Sequence, residues 1–210
     1  MAIVMGRGDT RSIIDACRQA GLLRNQAAYV LATAWHETAH TMKPVREYGG
    51  EAYLKKKKYY PYVGMGYVQL TWLSNYQDWA KRLGVDFVKS PRLLLEAQYA
   101  VQILVEGMRL GTFTGKKLAD YITLAKSDFT GARRIVNGTD KAALIAGYAR
   151  EYDAALIKEG YGVAAAKPAA ASPTAPTPTR TAPTTTAPPS SAAKIGLAVL
   201  LLAIAAVAVT

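Results

Sequence analysis

The sequence predicts a mainly α-helical domain with a small irregular or hairpin lobe, followed by a disordered linker and a C-terminal transmembrane helix. Apolar residues recur at helical spacing along most of residues 10–160. This periodicity disappears between Thr41 and Gly66, where glycines, tyrosines and lysines are frequent. From Ala164 onward the chain changes to Ala, Pro, Thr and Ser, and it ends in an apolar run after Lys194.

These changes in composition divide the 210 residues into three predicted parts. Residues 1–163 contain almost all the large apolar side chains and are expected to form the folded domain. Residues 164–193 have too few such side chains to offset the entropy of ordering, so we expect a linker. Residues 194–210 are expected to form an anchor, whose helix of about 24 Å would span a locally thin bilayer with Lys194 at one face.

Helical spacing and capping residues give the order of elements within the domain. Asp9 or Thr10 is expected to cap the first helix and Asn25 the second, which is apolar on nearly every side and carries Glu37 in its last turn. The predicted helices are Thr10–Ala20, Asn25–Ala39, Leu70–Leu83, a helix from Pro91 through Met108, short pieces at Lys117–Ile122 and Asp128–Val136, and a last helix capped by Thr139 or Asp140.

The charge of the chain restricts its partners without choosing among them. The net charge is +11, and the tail contains three of the cations and no acidic residue, so residues 1–163 have a net charge of +8. Such a domain favours anionic polymers: nucleic acid, anionic lipid or the bacterial cell wall. The run Lys55–Lys58 is expected to be a solvated loop, although Tyr59, Tyr60 and Tyr62 beside it can line a groove for a polymer. Cys17, the only cysteine, is expected in the core.

His36-Glu37-Thr38-Ala39-His40 matches the HExxH pattern, in which two histidines one helical turn apart bind zinc and the glutamate activates a water. The chain has only these two histidines, so a third zinc ligand would have to be a carboxylate such as Glu47 or Glu51. A zinc metallopeptidase is therefore one hypothesis.

A second hypothesis makes Glu37 a proton donor. A carboxyl at the C-terminal end of a buried helix meets desolvation and the negative end of the helix dipole, and both favour its protonated form. Glu47 and Glu51 lie in the polar loop and are expected to stay ionised. Two carboxylates in unlike surroundings are what glycoside cleavage requires.

Two separated motifs resemble the family 19 chitinases and their phage endolysin relatives. The first is HET at the end of an apolar helix, an acidic loop, and then Gly64 to Thr71 (GMGYVQLT) with Asn75-Tyr76; the second is Arg134 to Gly138 (RIVNG). The resemblance covers roughly residues 27–137. It implies a lysozyme-like (α+β) fold and an inverting glycoside hydrolase that needs no cofactor.

Carried over by position, the resemblance implies a role for each of seven residues. Glu37 is the general acid, Glu47 the second carboxylate with Glu51 as a fallback, and Thr71 helps to hold the attacking water. Gln69, Asn75, Asn137 and Tyr67 are expected to bind sugar. Met65 stands where the family usually has an arginine between two glycines.

The resemblance and the charge together predict a phage hydrolase of bacterial peptidoglycan, held at a membrane by its C-terminal helix and acting during infection or host lysis. The N-terminal apolar run is too short for a signal peptide, so we expect the anchor to leave the domain on the cytoplasmic side, or in a virion membrane. A non-catalytic wall-binding module is a further hypothesis, because Met65 removes the family's arginine.

Overall fold

Seven α-helices and two short 3-10 helices make up most of residues 2–162, the part of the chain that this computed structural model describes. The prediction of a mainly α-helical domain is confirmed. The α-helices are α1 (Thr10–Gln19), α2 (Arg24–Glu37), α3 (Glu51–Leu54), α4 (Leu73–Leu83), α5 (Ala97–Leu110), α6 (Leu118–Tyr121) and α7 (Ala142–Lys158). The 3-10 helices are Pro91–Leu95 and Gly131–Ile135.

The predicted linker (164–193) and membrane anchor (194–210) lie outside the described residues. Within residues 2–162, no helix combines the length and the apolar character that crossing a membrane requires.

Helix α2 forms the centre of the domain. Every residue from Ala27 to Trp35 is buried, as the sequence predicts for a helix that is apolar on nearly every side. Helix α7 makes the most extensive contact with α2. An ion pair between Arg24 and Asp153, with Nε 2.8 Å from Oδ1, also joins these two helices. Helix α7 therefore packs along α2, and the ion pair joins α7 to the first residue of α2.

The segment between Thr41 and Gly66, predicted to be an irregular loop or a short hairpin, contains the only two strands among the described residues. Strand β1 (Val45–Arg46) pairs antiparallel with β2 (Met65–Gly66), so that Val45 lies opposite Gly66 and Arg46 opposite Met65. We call residues 43–72 the lobe. It includes α3 and the lysine run.

The predicted capping residues make other contacts in the structure. Asn25 does not cap α2, which begins one residue earlier, because its Nδ2 donates to Thr123 O and Ser127 Oγ, both at 2.8 Å. Likewise α7 begins after Lys141, a residue with φ of +57°, and neither Thr139 nor Asp140 caps it. Both capping predictions were wrong, because the Asn25 side chain bonds a distant segment of the chain and the left-handed backbone of Lys141 directly precedes α7.

Two further helix boundaries differ from prediction. Helix α4 begins at Leu73 rather than Leu70, because the backbone of Leu70 is paired with that of Met65. The predicted helix from Pro91 is divided at Glu96, whose extended backbone (φ −77°, ψ 129°) separates the 3-10 helix from α5. The stop at Gly84 is confirmed, since this glycine has φ of +67°.

Candidate active site

Glu37 is the last residue of α2, and the turn that follows it is closely fixed. Thr38 Oγ1 donates to Ala34 O at 2.7 Å and accepts from the Met42 N–H at 3.0 Å, so its side chain closes the end of the helix. Ala39 and His40 have φ of +48° and +68°, which turns the chain away from the helix axis. This turn leaves the Glu37 side chain 21% exposed at the end of an otherwise buried helix.

Arg133, from the second 3-10 helix, holds the Glu37 carboxylate. Arg133 Nη1 lies 2.6 Å from Glu37 Oε1, and the arginine side chain is only 4% exposed. Its Nε donates to Asp140 O at 3.0 Å, which fixes the guanidinium in place. Among residues 2–162, Arg133 is the only hydrogen-bond donor to Glu37, so Oε2 of Glu37 has no donor from this part of the chain.

Glu47 follows β1 and is held inside the lobe, where it is 8% exposed. Its Oε1 accepts from Tyr59 Oη at 2.6 Å, and its Oε2 accepts from the Gly64 N–H at 2.9 Å. Burial, and then the hydrogen bond to Glu47, raises the pKa of Tyr59, so the phenol remains a donor. In the described residues no cation lies within ion-pair distance of Glu47. The two neutral donors fix its orientation.

Glu51, the fallback for Glu47, lies in different surroundings. It is exposed at the start of α3, where it accepts from Tyr60 Oη at 2.6 Å and from Arg46 Nη2 at 3.0 Å. The hydrogen bond from Tyr60, and then that from Arg46, lowers the pKa of Glu51. Its two oxygens therefore join α3 to β1 at the surface of the lobe.

Three of the polar residues predicted to act in the site are Gln69 and Thr71 in the lobe and Asn75 in the first turn of α4. Gln69 Nε2 donates to Val45 O at 3.0 Å, Thr71 Oγ1 donates to Gln69 O at 2.7 Å, and Asn75 Nδ2 donates to Thr71 O at 2.7 Å. All three side chains are partly exposed. Together they form a chain of hydrogen bonds that starts at Val45 O in β1, the strand that Glu47 follows.

Tyr67 and Met65 are buried instead of facing solvent. Tyr67 is 1% exposed, and its hydroxyl donates to Asp9 Oδ2 at 2.7 Å, so we leave it out of the sugar-binding proposal. Met65 is 5% exposed in β2. Met65 provides no cation, and the cations that contact the carboxylates come from other positions. Arg133 pairs with Glu37, and Arg46 pairs with Glu51.

Asn137 lies just beyond the 3-10 helix that carries Arg133. Its N–H donates to Arg133 O at 3.0 Å, and its Oδ1 accepts from the Gly138 N–H at 2.8 Å. Asn137 is partly exposed and retains a free Nδ2 within the described part of the chain. The site residues thus fall into two groups, one with Glu37 in the helical body and one with Glu47 in the lobe.

The two histidines of the HExxH pattern do not share a helix face. Helix α2 ends at Glu37, and His40, past the end, stacks on Trp35 with ring centroids 4.7 Å apart. His40 Nε2 lies 3.3 Å from Tyr148 Oη, and burial lowers the pKa of His36. Among residues 2–162 there is no cluster of three His, Cys, Asp or Glu side chains suited to hold a metal ion.

Comparisons with known proteins return no relative of this chain. No protein-family model matches it, and neither the curated proteins nor the solved structures include a significant match. A function is therefore inferred from the arrangement of the side chains and from the sequence motifs.

Sequence reasoning missed Arg133 and Tyr59, which hold the two carboxylates. Arg133 and Arg134 are neighbours in the sequence, and only the fold shows that Arg133 is buried while Arg134 is exposed. Tyr59 follows the lysine run, and nothing in its spacing distinguishes it from Tyr60 or Tyr62.

Proposed function

We propose that residues 1–163 form a lysozyme-like glycoside hydrolase that cleaves glycosidic bonds of bacterial peptidoglycan, with Glu37 as the general acid. The observation that carries the proposal is the environment of Glu37. The side chain ends a buried helix, is partly exposed, and is held by Arg133 through one oxygen only. A fixed carboxyl with one oxygen open to a substrate is suited to proton transfer.

In the proposed mechanism, the two oxygens of Glu37 have different tasks. Oε1 accepts the hydrogen bond from Arg133, so the carboxyl keeps a single orientation. In the acid form of the side chain Oε2 carries the proton and delivers it to the oxygen that bridges two saccharides, and the carboxylate that remains forms the ion pair with Arg133. As the bond to that oxygen breaks, positive charge develops on the sugar ring, and water completes the displacement.

Glu47 is the second carboxylate of the proposal. The donors Tyr59 and Gly64 each occupy one lone pair, which leaves a lone pair on either oxygen to accept a proton from water. Thr71 donates to Gln69 O and keeps its own lone pairs for that water. Inversion requires the two carboxyl groups to be about 6.5–9.5 Å apart. Gln69, Asn75 and Asn137 are the proposed sugar-binding residues.

Peptidoglycan is preferred to chitin as the substrate because of charge. Residues 1–163 have a net charge of +8, which attracts a polymer that bears carboxylates and gains nothing from an uncharged one. The strand contains two kinds of sugar, and mass analysis of the products identifies which of the glycosidic bonds between them is cut.

The position at which α2 ends favours a glycosidase over a zinc peptidase. Two histidines one turn apart can bind the same ion only if both project from one helix face. In this chain the helix stops at Glu37, and the His40 ring packs against Trp35. We therefore give the glutamate of the HExxH pattern the role of acid instead of metal-activated base.

We further propose that the protein belongs to a bacteriophage and is held in a virion membrane or the host inner membrane through residues 194–210. This part rests on the sequence, because those residues lie outside the described part. Detection of the chain in purified virions supports a role at the start of infection, and its absence there leaves host lysis.

Glu37→Gln in the full chain tests the proposal. Glutamine keeps the size of the side chain and its acceptor for Arg133 but cannot release a proton, so we expect a loss of at least about 100-fold in reducing ends released from peptidoglycan. Glu106→Gln is the matched control, because it makes the same change at a partly exposed carboxylate that pairs with an arginine, Arg109, outside the proposed site. Equal loss in both variants, or none in Glu37→Gln, contradicts the proposal. Circular dichroism establishes that both variants are folded.

A further inference from the structure

The lobe presents a set of exposed cations and aromatic rings that the proposed reaction does not use. Lys55, Lys56 and Lys58 are exposed after α3, and no residue of the described part forms an ion pair with Lys55–Lys58. Tyr48 and Tyr53 are 53% and 48% exposed. We call these residues, Tyr48, Tyr53 and Lys55–Lys58, the lysine–tyrosine surface.

Tyr53 is fixed although it is exposed. Its ring lies against Gly49, where an added Cβ would come within 2.5 Å of Tyr53 Cδ1, and where φ is +128°. On another side, Lys57 Nζ lies 4.1 Å from the ring centroid. A ring held in place with about half its area open loses little entropy when it binds a flat partner.

The aromatic residues of this surface are not those expected from the sequence. The rings of Tyr59, Tyr60 and Tyr62 are already engaged by other side chains, which are Glu47, Glu51 and Tyr76, respectively. Tyr48 and Tyr53 face solvent instead. The lysine run therefore lies beside the exposed ring of Tyr53, against which Lys57 packs, and it is followed in the chain by Tyr59, the donor to Glu47.

We propose that the lysine–tyrosine surface binds a peptidoglycan strand outside the cleavage site, with ammonium groups on the carboxylates of the stem peptides and tyrosine rings on the sugars. This inference rests on the proposed function for the identity of the polymer. Lysine ammoniums are compact charges that pair singly with separate carboxylates, and an aromatic ring covers the apolar face of a sugar. Tyr59, the residue directly after the lysine run, donates to Glu47, so this surface and the proposed second carboxylate belong to the same lobe.

Co-sedimentation of the full chain, in detergent, with purified peptidoglycan sacculi tests the proposal. The test variant has Lys55→Gln, Lys56→Gln and Lys58→Gln, which leaves Lys57 on Tyr53. The matched control has Lys81→Gln, Lys116→Gln and Lys158→Gln, three exposed lysines without ion pairs in the described residues. Both variants lose the same charge, so a difference between them reports on position.

We expect the test variant to bind sacculi about tenfold more weakly than the control variant, since each exposed pair contributes a few tenths of a kcal/mol to about 1 kcal/mol. The difference should shrink at about 0.5 M salt, where exposed charges are screened. Tyr53→Ala should weaken binding several-fold at both salt concentrations, because it removes ring contact without charge. Equal binding by the two lysine variants, or no effect of Tyr53→Ala, overturns the proposal.

Vesicles that contain anionic phospholipid distinguish a membrane surface from a glycan surface. If the lysine substitutions weaken binding to vesicles and leave binding to sacculi unchanged, the surface binds lipid and the inference fails. Sedimentation needs no bond cleavage. Failure of Glu37→Gln to abolish release of reducing ends would therefore remove the proposed function, while the sedimentation result would still report on the surface.

Discussion

The ion pair of Glu37 and Arg133 joins a partly exposed carboxylate to a guanidinium that is almost completely buried. A buried charge without its partner is expensive, because the protein cannot replace the lost hydration. The position of Glu37 was predictable, since a helix of apolar residues leads up to it. Arg133 lies 96 residues further along the chain, and only the folded structure shows that the two meet.

A double-mutant cycle on this pair gives a first prediction. Arg133→Met leaves Glu37 without its cation and should lower the free energy of unfolding by about 1–3 kcal/mol, less than a fully buried pair because water reaches Glu37. Adding Glu37→Gln to Arg133→Met should cost less than Glu37→Gln costs alone. Urea unfolding of the four proteins measures both effects, and strictly additive losses would mean that the pair is not coupled.

The pH dependence of stability gives a second prediction at the residue scale. Burial lowers the pKa of His36 below its ordinary value of 6.5, and burial also lowers that of His40. The unfolded chain therefore binds protons at a higher pH than the folded chain does. The contribution of these two histidines to stability should be complete above about pH 6.5 and should be lost as the pH falls below that value.

His36→Gln is the matched variant for this effect, because glutamine does not titrate. Between pH 7.5 and pH 5, the wild type should lose more stability than His36→Gln, as measured by the urea midpoint at each pH. The same loss in both proteins would show that His36 is not one of the groups responsible.

At the scale of elements, the lobe depends on the close approach of two segments. Gly64 donates its N–H to Glu47 Oε2, and an added Cβ at Gly64 would lie 2.8 Å from Gln69 Oε1 and 3.2 Å from Gln69 Cβ. Gln69 in turn donates to Val45 O, which ties the turn after β2 to β1. The glycine is thus needed because a side chain already fills the space beside it.

Gly64→Ala therefore gives a third prediction. The new methyl group should displace Gln69, break its bond to Val45 O and lower stability by about 1 kcal/mol. If Glu47 is the second carboxylate, activity on peptidoglycan should fall as well. Gly147→Ala in α7 is the control, because an added Cβ there has no atom within 4 Å. It should stabilise the helix by about 0.5–1 kcal/mol. Thermal unfolding measures the change in stability of both variants, and an assay on peptidoglycan measures the change in activity.

Helix periodicity predicted where most elements lie but not where each one starts. The stops were more predictable, because Gly84 has a positive φ that other residues seldom adopt. The starts depend on contacts that helical spacing does not reveal, such as the bond from Asn25 to Thr123 at α2 and the pairing of Leu70 with Met65 before α4. The pairing of β1 with β2 was also beyond local reasoning, since each strand has only two residues.

On the scale of the whole molecule, one buried helix provides both the core and the proposed acid. Helix α2 packs against α7, and the 3-10 helix Gly131–Ile135 delivers Arg133 to its C-terminal end. The lobe supplies Glu47 from a separate set of hydrogen bonds. The mainly helical fold and the position of Glu37 at a helix end were accessible from the sequence, whereas the partners of both carboxylates required the tertiary structure.

Mass analysis of the products from purified peptidoglycan tests the central claim most directly. The full chain should release fragments cut between two sugars, with intact stem peptides and one new reducing end per cut, and Glu37→Gln should release none. Fragments cut only within the stem peptides, or binding to the strands without any release of fragments, would contradict the account.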